Sequence, residues 1–137
     1  MGQTLHVENL VWRFPGQQQA LFEIAGLDVP AGFSLGIRGP SGAGKTTLFH
    51  CLSGIAAPHA GSVRWDGADL CALSPEARDR WRHRNLGLVF QDFHLIDGLA
   101  AFDNVLLPAH FGRRRAPAEL RRRAGELLDA VGIGCPE

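Results

Sequence analysis

Tyrosine is absent from this chain of 137 residues, and lysine occurs once, as Lys45, against thirteen arginines. Neither sign of charge is in excess: 14 Lys and Arg meet 14 Asp and Glu. That balance removes any general electrostatic case for nucleic acid or an acidic surface as partner. The three cysteines, Cys51, Cys71 and Cys135, are an odd number at wide spacings. They fit a reducing compartment better than a disulfide framework. No pair of cysteines or histidines has zinc-ligand spacing, so the six histidines read as scattered surface or core residues. No apolar run approaches the ~20 residues of a spanning helix. The start, MGQTLHVENL, has neither the basic end nor the apolar run of a signal peptide. The chain therefore reads as soluble and cytoplasmic. It has no repeats and no low-complexity tract, and its length is one domain's worth or less. Its apolar share of 45% is enough for a globular core.

What is present alternates in short elements. LHVENLV and ALFEIAGLDV mix branched apolar and polar residues as strands do, with PGQQQ as a turn or loop between them. FSLGIRG reads as a short apolar strand. Beyond Gly44 the apolar spacing becomes helical, through Leu48, Phe49, Leu52 and Ile55, until AAPHAG breaks it. SVRWDG reads as a strand closed by an Asp-Gly turn. Ser74 and Pro75 open a helix, PEARDRWRHR, whose arginines make a solvated face rather than a nucleic-acid patch. LGLVF has the composition of a buried strand, and AFDNVLLPAHF reads as helical up to Pro108. Arginines cluster at 113–115 and 121–123. From Ala118 onward Leu120, Ala124, Leu127, Leu128 and Val131 line one face, which makes the second cluster the wet side of an amphipathic helix. Hairpin-like strands early and strand–helix alternation later predict a mixed α/β architecture.

The lone lysine stands in GPSGAGKTTL. Gly39, Gly44, Lys45 and Thr46 satisfy G-x-x-x-x-G-K-[ST], after a predicted strand and before a predicted helix. Glycines let the backbone wrap with its N–H groups inward, and the helix start adds its positive dipole end. The result is a concave anion site for polyphosphate. Lysine supplies a point charge for the outer phosphates, and the next hydroxyl can ligate magnesium. An arginine's planar fork does not thread so tight a loop, which explains the one lysine.

From Phe14 to Val105 the sequence resembles the nucleotide-binding domain of ATP-binding cassette (ABC) transporters. Four segments carry the resemblance, in order: GPSGAGKTTLFHCLSGI; PHAGSVRWDG; LGLVFQDFHLI, similar to the family's glutamine loop; and FDNVLLP. FQDFHLID and FDNVLLP look most like the lipoprotein-release, macrolide-export and cell-division group of these ATPases.

The resemblance implies an α/β fold of P-loop NTPase, ABC-ATPase type. An antiparallel β subdomain would stand at its N-terminus and the start of a helical subdomain at its C-terminus. About 1–90 would be nucleotide-binding core and β subdomain, and about 91–137 the glutamine loop and the start of the helical subdomain. It implies ATP and Mg2+ as cofactors. The backbone of Gly39, Pro40, Ser41, Gly42, Ala43 and Gly44, together with Lys45, would hold the β- and γ-phosphates. Thr46 would ligate magnesium, Thr47 would reach the α-phosphate, and Gln91 would contact the metal or the attacking water. An aromatic near the N-terminus should stack on adenine; the family's usual tyrosine is replaced by Phe14, with Trp12 as the alternative, and phenylalanine keeps the π face. The implied partners are a transmembrane permease subunit and a second ATP-binding domain, identical or paralogous. The implied place is the cytoplasmic face of the inner membrane, touched only through the permease.

The sequence departs from the family by lacking the signature L-S-G-G-Q, a strand ending in Asp-Glu, and a later histidine. Leu52 to Gly54 read LSG but belong to the helix after the phosphate loop. The resemblance thus spans about the first half of a domain. The expectation is an ATP-binding transporter subunit whose 137 residues alone bind ATP weakly or not at all and turn it over near background. An isolated chain would also expose apolar surface where further strands belong. The alternative is a degenerate, non-hydrolysing nucleotide-binding or interaction module. A different P-loop enzyme, such as a small kinase, is disfavoured by the glutamine loop and FDNVLLP.

Overall fold

The structure is a computed structural model that describes residues 2–92, 94–110 and 117–134, in two compact units, Met1–Leu88 and Val89–Glu137. Cys135 and the arginine cluster at 113–115 lie outside the described residues.

The first unit is built on an antiparallel sheet of order β2-β1-β3-β4, from β1 (Leu5–Trp12), β2 (Phe22–Val29), β3 (Ala60–Trp65) and β4 (Ala68–Asp69). In β1, Leu5 and Val7 point into the core with period two, and then the inward position moves to Leu10. A bulge causes the change of phase. Asn9 has φ of 49°, and the pairing of β1 with β3 shifts register between Glu8 and Val11. On the other strand Gly61 has φ of 93°, and a Cβ there would lie 2.4 Å from the Asn9 carbonyl oxygen and 2.5 Å from that of Glu8. Only glycine permits this crossing. The hairpin from β3 to β4 turns at Asp66-Gly67, both with positive φ, as a two-residue hairpin loop requires. Asp66 also accepts from the Thr4 N–H and hydroxyl, at 2.8 and 2.9 Å, which ties this turn to the start of β1.

Against the sheet packs α1 (Lys45–Leu52), and Cys51 and Leu52 join Leu5, Val7, Leu10, Val63 and Leu70 in one core. The helix ends at Leu52, before the Ile55 that the spacing included. The Gly54 N–H returns to Cys51 O and the Ile55 N–H to His50 O, a pair of bonds that closes a helix end. The Trp65 indole N–H donates to Leu52 O at 2.9 Å, and Arg82 donates to Gly54 O at 2.6 Å. α2 (Pro75–Asn85) starts as expected, with Ser74 Oγ accepting from the Ala77 N–H. None of its residues is fully buried, but of its arginines only Arg80 and Arg84 are exposed, whereas Arg78 and Arg82 are half-buried.

Two expected strands do not form. Phe33 to Arg38 and Leu86 to Phe90 are not strands, because no described neighbour supplies the ladder hydrogen bonds that make a strand. Phe33 is left 74% exposed. A cavity of about 300 Å³ opens within this unit, and Phe33, Leu35, Ile37, Leu86 and Leu88 are among the residues that line it.

The second unit is a helix pair, α3 (Ala101–His110) and α4 (Ala118–Ala130), joined through Leu106 and Ala124 with Phe102 and Ala109 beside them. α3 continues two residues past Pro108, the expected end of the helix. Of the apolar face expected on α4, Ala124 and Leu128 are buried, whereas Leu120, Leu127 and Val131 remain exposed. Arg121 lies over the Phe102 ring at 5.2 Å. Asn104 holds the loop before α3: it accepts from the Ile96 N–H at 2.8 Å and donates to the carbonyls of Ile96, Leu99 and Ala100. Among the described residues no helix is long and apolar enough to cross a membrane.

Candidate functional site

The phosphate-loop candidates lie together in the first unit. The Ala43 N–H bonds back to Pro40 O at 3.3 Å, which curls the loop over itself. Gly44, at φ of 86°, occupies the N-cap of α1 in the left-handed region. It brings no side-chain cap, and the first turn holds no acidic residue. The helix start therefore keeps its orphan N–H groups and dipole available for an anion.

Packing adds to the requirement that the torsion sets at Gly44. A Cβ there would meet Leu21 Cδ2 at 2.9 Å and Phe22 Cδ1 at 3.2 Å. The Leu21 N–H in turn donates to Trp12 O at 2.8 Å. Leu21 thus links the end of β1, where the aromatic candidates sit, to the start of the phosphate-loop helix. Nothing in the apolar periodicity marks it for that task.

Lys45 is a half-buried residue, and its ammonium donates to Gly39 O at 2.9 Å and Pro40 O at 2.7 Å. Two of its three donors brace the loop and one remains for a ligand. Gly39 leaves space beneath it: a Cβ there would stand 3.5 Å from Ala43 Cβ and 4.0 Å from Lys45 Cδ, inside the cradle. Ser41 and Thr46 are exposed and Thr47 is half-buried. The donor set suits a polyphosphate. Among the described residues no group of three or more His, Cys, Asp or Glu is placed to hold a metal. A magnesium ion here would draw mostly on phosphate oxygens and water, the ligands it favours, with the Thr46 hydroxyl beside it.

The aromatic candidates divide by burial. Trp12 packs against the core, whereas Phe14 is 45% exposed. Their rings meet edge to face, with centroids 4.8 Å apart and planes at 87°. Trp12 supports the ring and Phe14 presents it. His59, which the sequence marks only as one of six scattered histidines, joins them. The Arg13 N–H donates to His59 Nδ1 at 3.2 Å, and the His59 ring stands edge-on to Trp12 with centroids 6.1 Å apart. Gln91 belongs to the second unit, where it is exposed in a bend.

With this geometry in view, comparison with known proteins decides the family. The family model described as ABC transporter matches residues 22–135. The chain belongs to that family. An uncharacterized ABC transporter ATP-binding protein of Mycobacterium tuberculosis is 40% identical over 134 residues, which are 94% of this chain and 39% of that protein. A lipoprotein-releasing system ATP-binding protein, LolD 1 of Rhodopirellula baltica, is 38% identical over 131 residues, which are 94% of this chain and 57% of the relative. Among solved structures, the dimeric ATP-binding cassette MJ0796 in a post-hydrolysis state with ADP and Pi superposes with a TM-score of 0.80 at 30% identity. The match covers 93% of this chain and 57% of that one. The chain thus has an ABC-ATPase type of P-loop α/β fold and spans about two fifths to three fifths of these relatives' lengths.

Proposed function

We propose that this chain carries the phosphate-gripping part of the ATP site of an ABC transporter's ATP-binding subunit. The observation that bears most weight is the Lys45 ammonium, seated on the Gly39 and Pro40 carbonyls beside an uncapped helix N-terminus. The backbone from Gly39 through Pro40, Ser41, Gly42, Ala43 and Gly44 cradles the β- and γ-phosphates, with Lys45 neutralising their charge. Thr46 offers its hydroxyl to Mg2+, and Thr47 reaches the α-phosphate. Phe14 stacks on the base, a role supported by its exposed face and by the Trp12 ring behind it. Gln91, in the segment after residue 90, serves the metal or the attacking water. Residues to about 90 act as nucleotide-binding core and β subdomain, and those from about 91 open the helical subdomain.

By the same reading the working assembly pairs this ATP-binding part with a second one and with a transmembrane permease at the cytoplasmic face of a membrane. ATP binding and hydrolysis would there drive transport. The similarity to a lipoprotein-releasing ATPase and to a dimeric cassette supports that assignment.

Gripping phosphates is not hydrolysis. Phosphoryl transfer depends on positioning and on charge stabilisation around the transferred group. These 137 residues contain neither an L-S-G-G-Q nor an apolar strand ending in Asp-Glu. A missing general base alone is worth roughly 10²–10⁴-fold. The 137-residue chain is therefore expected to release phosphate at the rate of a buffer blank, and to bind ATP no more than weakly. Steady phosphate release by the purified chain, abolished by Lys45→Ala, would show that the reacting groups are present after all.

A further inference from the structure

His59 lies outside the phosphate loop, yet it brackets the chain where the aromatic ring is presented. Its N–H donates to Val11 O at 2.9 Å, and its Nδ1 accepts the Arg13 N–H at 3.2 Å. These two bonds hold the backbone on either side of Trp12. The His59 ring stands edge-on to Trp12 at 85°, and Trp12 stands edge-on to Phe14 at 87°. The bulge at Asn9 and Gly61 sets this up, since it changes the register so that Val11 pairs with Ala60 and His59 falls beside the end of β1. We infer that His59 is a positioning residue for nucleobase recognition: it fixes the turn from Trp12 to Phe14 so that the Phe14 face is presented to the adenine of ATP. The inference rests on the reading of Phe14 as the base-stacking residue. The accepting Nδ1 requires the tautomer protonated on Nε2, which leaves Nε2–H facing away from this bond.

Inorganic tripolyphosphate needs the phosphate loop but not the aromatic ring, so it separates the two parts of the site. Dissociation constants for ATP and for tripolyphosphate are measured by equilibrium dialysis on the 137-residue chain and on His59→Ala, His59→Asn and Phe14→Ala. One neutral hydrogen bond and one ring contact are lost in His59→Ala, so ATP binding should weaken about five- to tenfold. Tripolyphosphate binding should stay within about twofold, because the loop is a separate site. That second value also reports that the loop is folded. His59→Asn, whose carboxamide oxygen can accept the Arg13 N–H, should recover most of the ATP affinity. Equal losses for both ligands, or no loss for either, would overturn the positioning role while a loss in Phe14→Ala kept the base-stacking reading standing. Unchanged ATP binding in Phe14→Ala would remove the base-stacking reading and this inference together.

Discussion

Gly61→Ala is expected to destabilise the first unit by about 2–5 kcal/mol, the sum of a left-handed backbone penalty and an overpacking term. The added Cβ would fall 2.4–2.5 Å from backbone atoms of Asn9 and Glu8. Backbone cannot swing aside as a flexible side chain would, so β1 and β3 must separate locally or the bulge must move. A moved bulge would turn Leu10 or Val63, both fully buried, out of the core. Gly26→Ala in β2 provides the control, since its Cβ would meet only Val7 O, at an ordinary 3.9 Å. That variant should stay within about 0.5 kcal/mol of the parent. Urea unfolding followed by circular dichroism distinguishes them, and coincident midpoints for the two variants would dismiss the bulge as a determinant of the sheet.

Lys45→Ala should leave the fold in place and remove most phosphate affinity. The lysine contributes to no hydrophobic core, and its bonds run to two carbonyls of an exposed loop, so its loss costs the fold little. Towards ligand it supplies a charge-assisted bond, worth about 1.5–3 kcal/mol, or roughly 10- to 150-fold in affinity. Loss of the loop brace adds to this, because Gly39 and Pro40 no longer have a shared donor. Titration calorimetry with tripolyphosphate should show this loss as fully as titration with ATP, in contrast to the base-dependent effect expected at His59. Lys45→Arg should restore little, since a planar guanidinium cannot reproduce a point donor seated between two loop carbonyls. Undiminished tripolyphosphate binding in Lys45→Ala would mean that the anion sits elsewhere.

Local chemistry made several elements of this protein legible in advance. The candidate phosphate loop could be picked out because glycine, lysine and threonine at fixed offsets answer a requirement that lies within ten residues of chain. The same holds for Ser74 and Pro75 at the start of α2 and for the Asp66-Gly67 turn. Each depends on neighbours a few positions away, so the sequence contains the whole cause. Membership of the ABC transporter family was legible for a related reason, since its motifs are local and their order survives in the chain.

What depends on distant partners was not legible in this way. Phe33 to Arg38 and Leu86 to Phe90 have the composition of strands and form none, because a strand is a property of a pair and no described residue pairs with them. The shift from Leu5 and Val7 to Leu10 on the core face required Asn9 to meet Gly61 across the sheet. Leu21 pressing on Gly44, and His59 accepting from the Arg13 N–H, are likewise contacts between chain positions far apart in the sequence. Residue order alone marked a candidate phosphate loop and the residues proposed for it. The tertiary structure alone decided what stands behind that loop and which aromatic ring faces outward, because those follow from which backbone passes close to which.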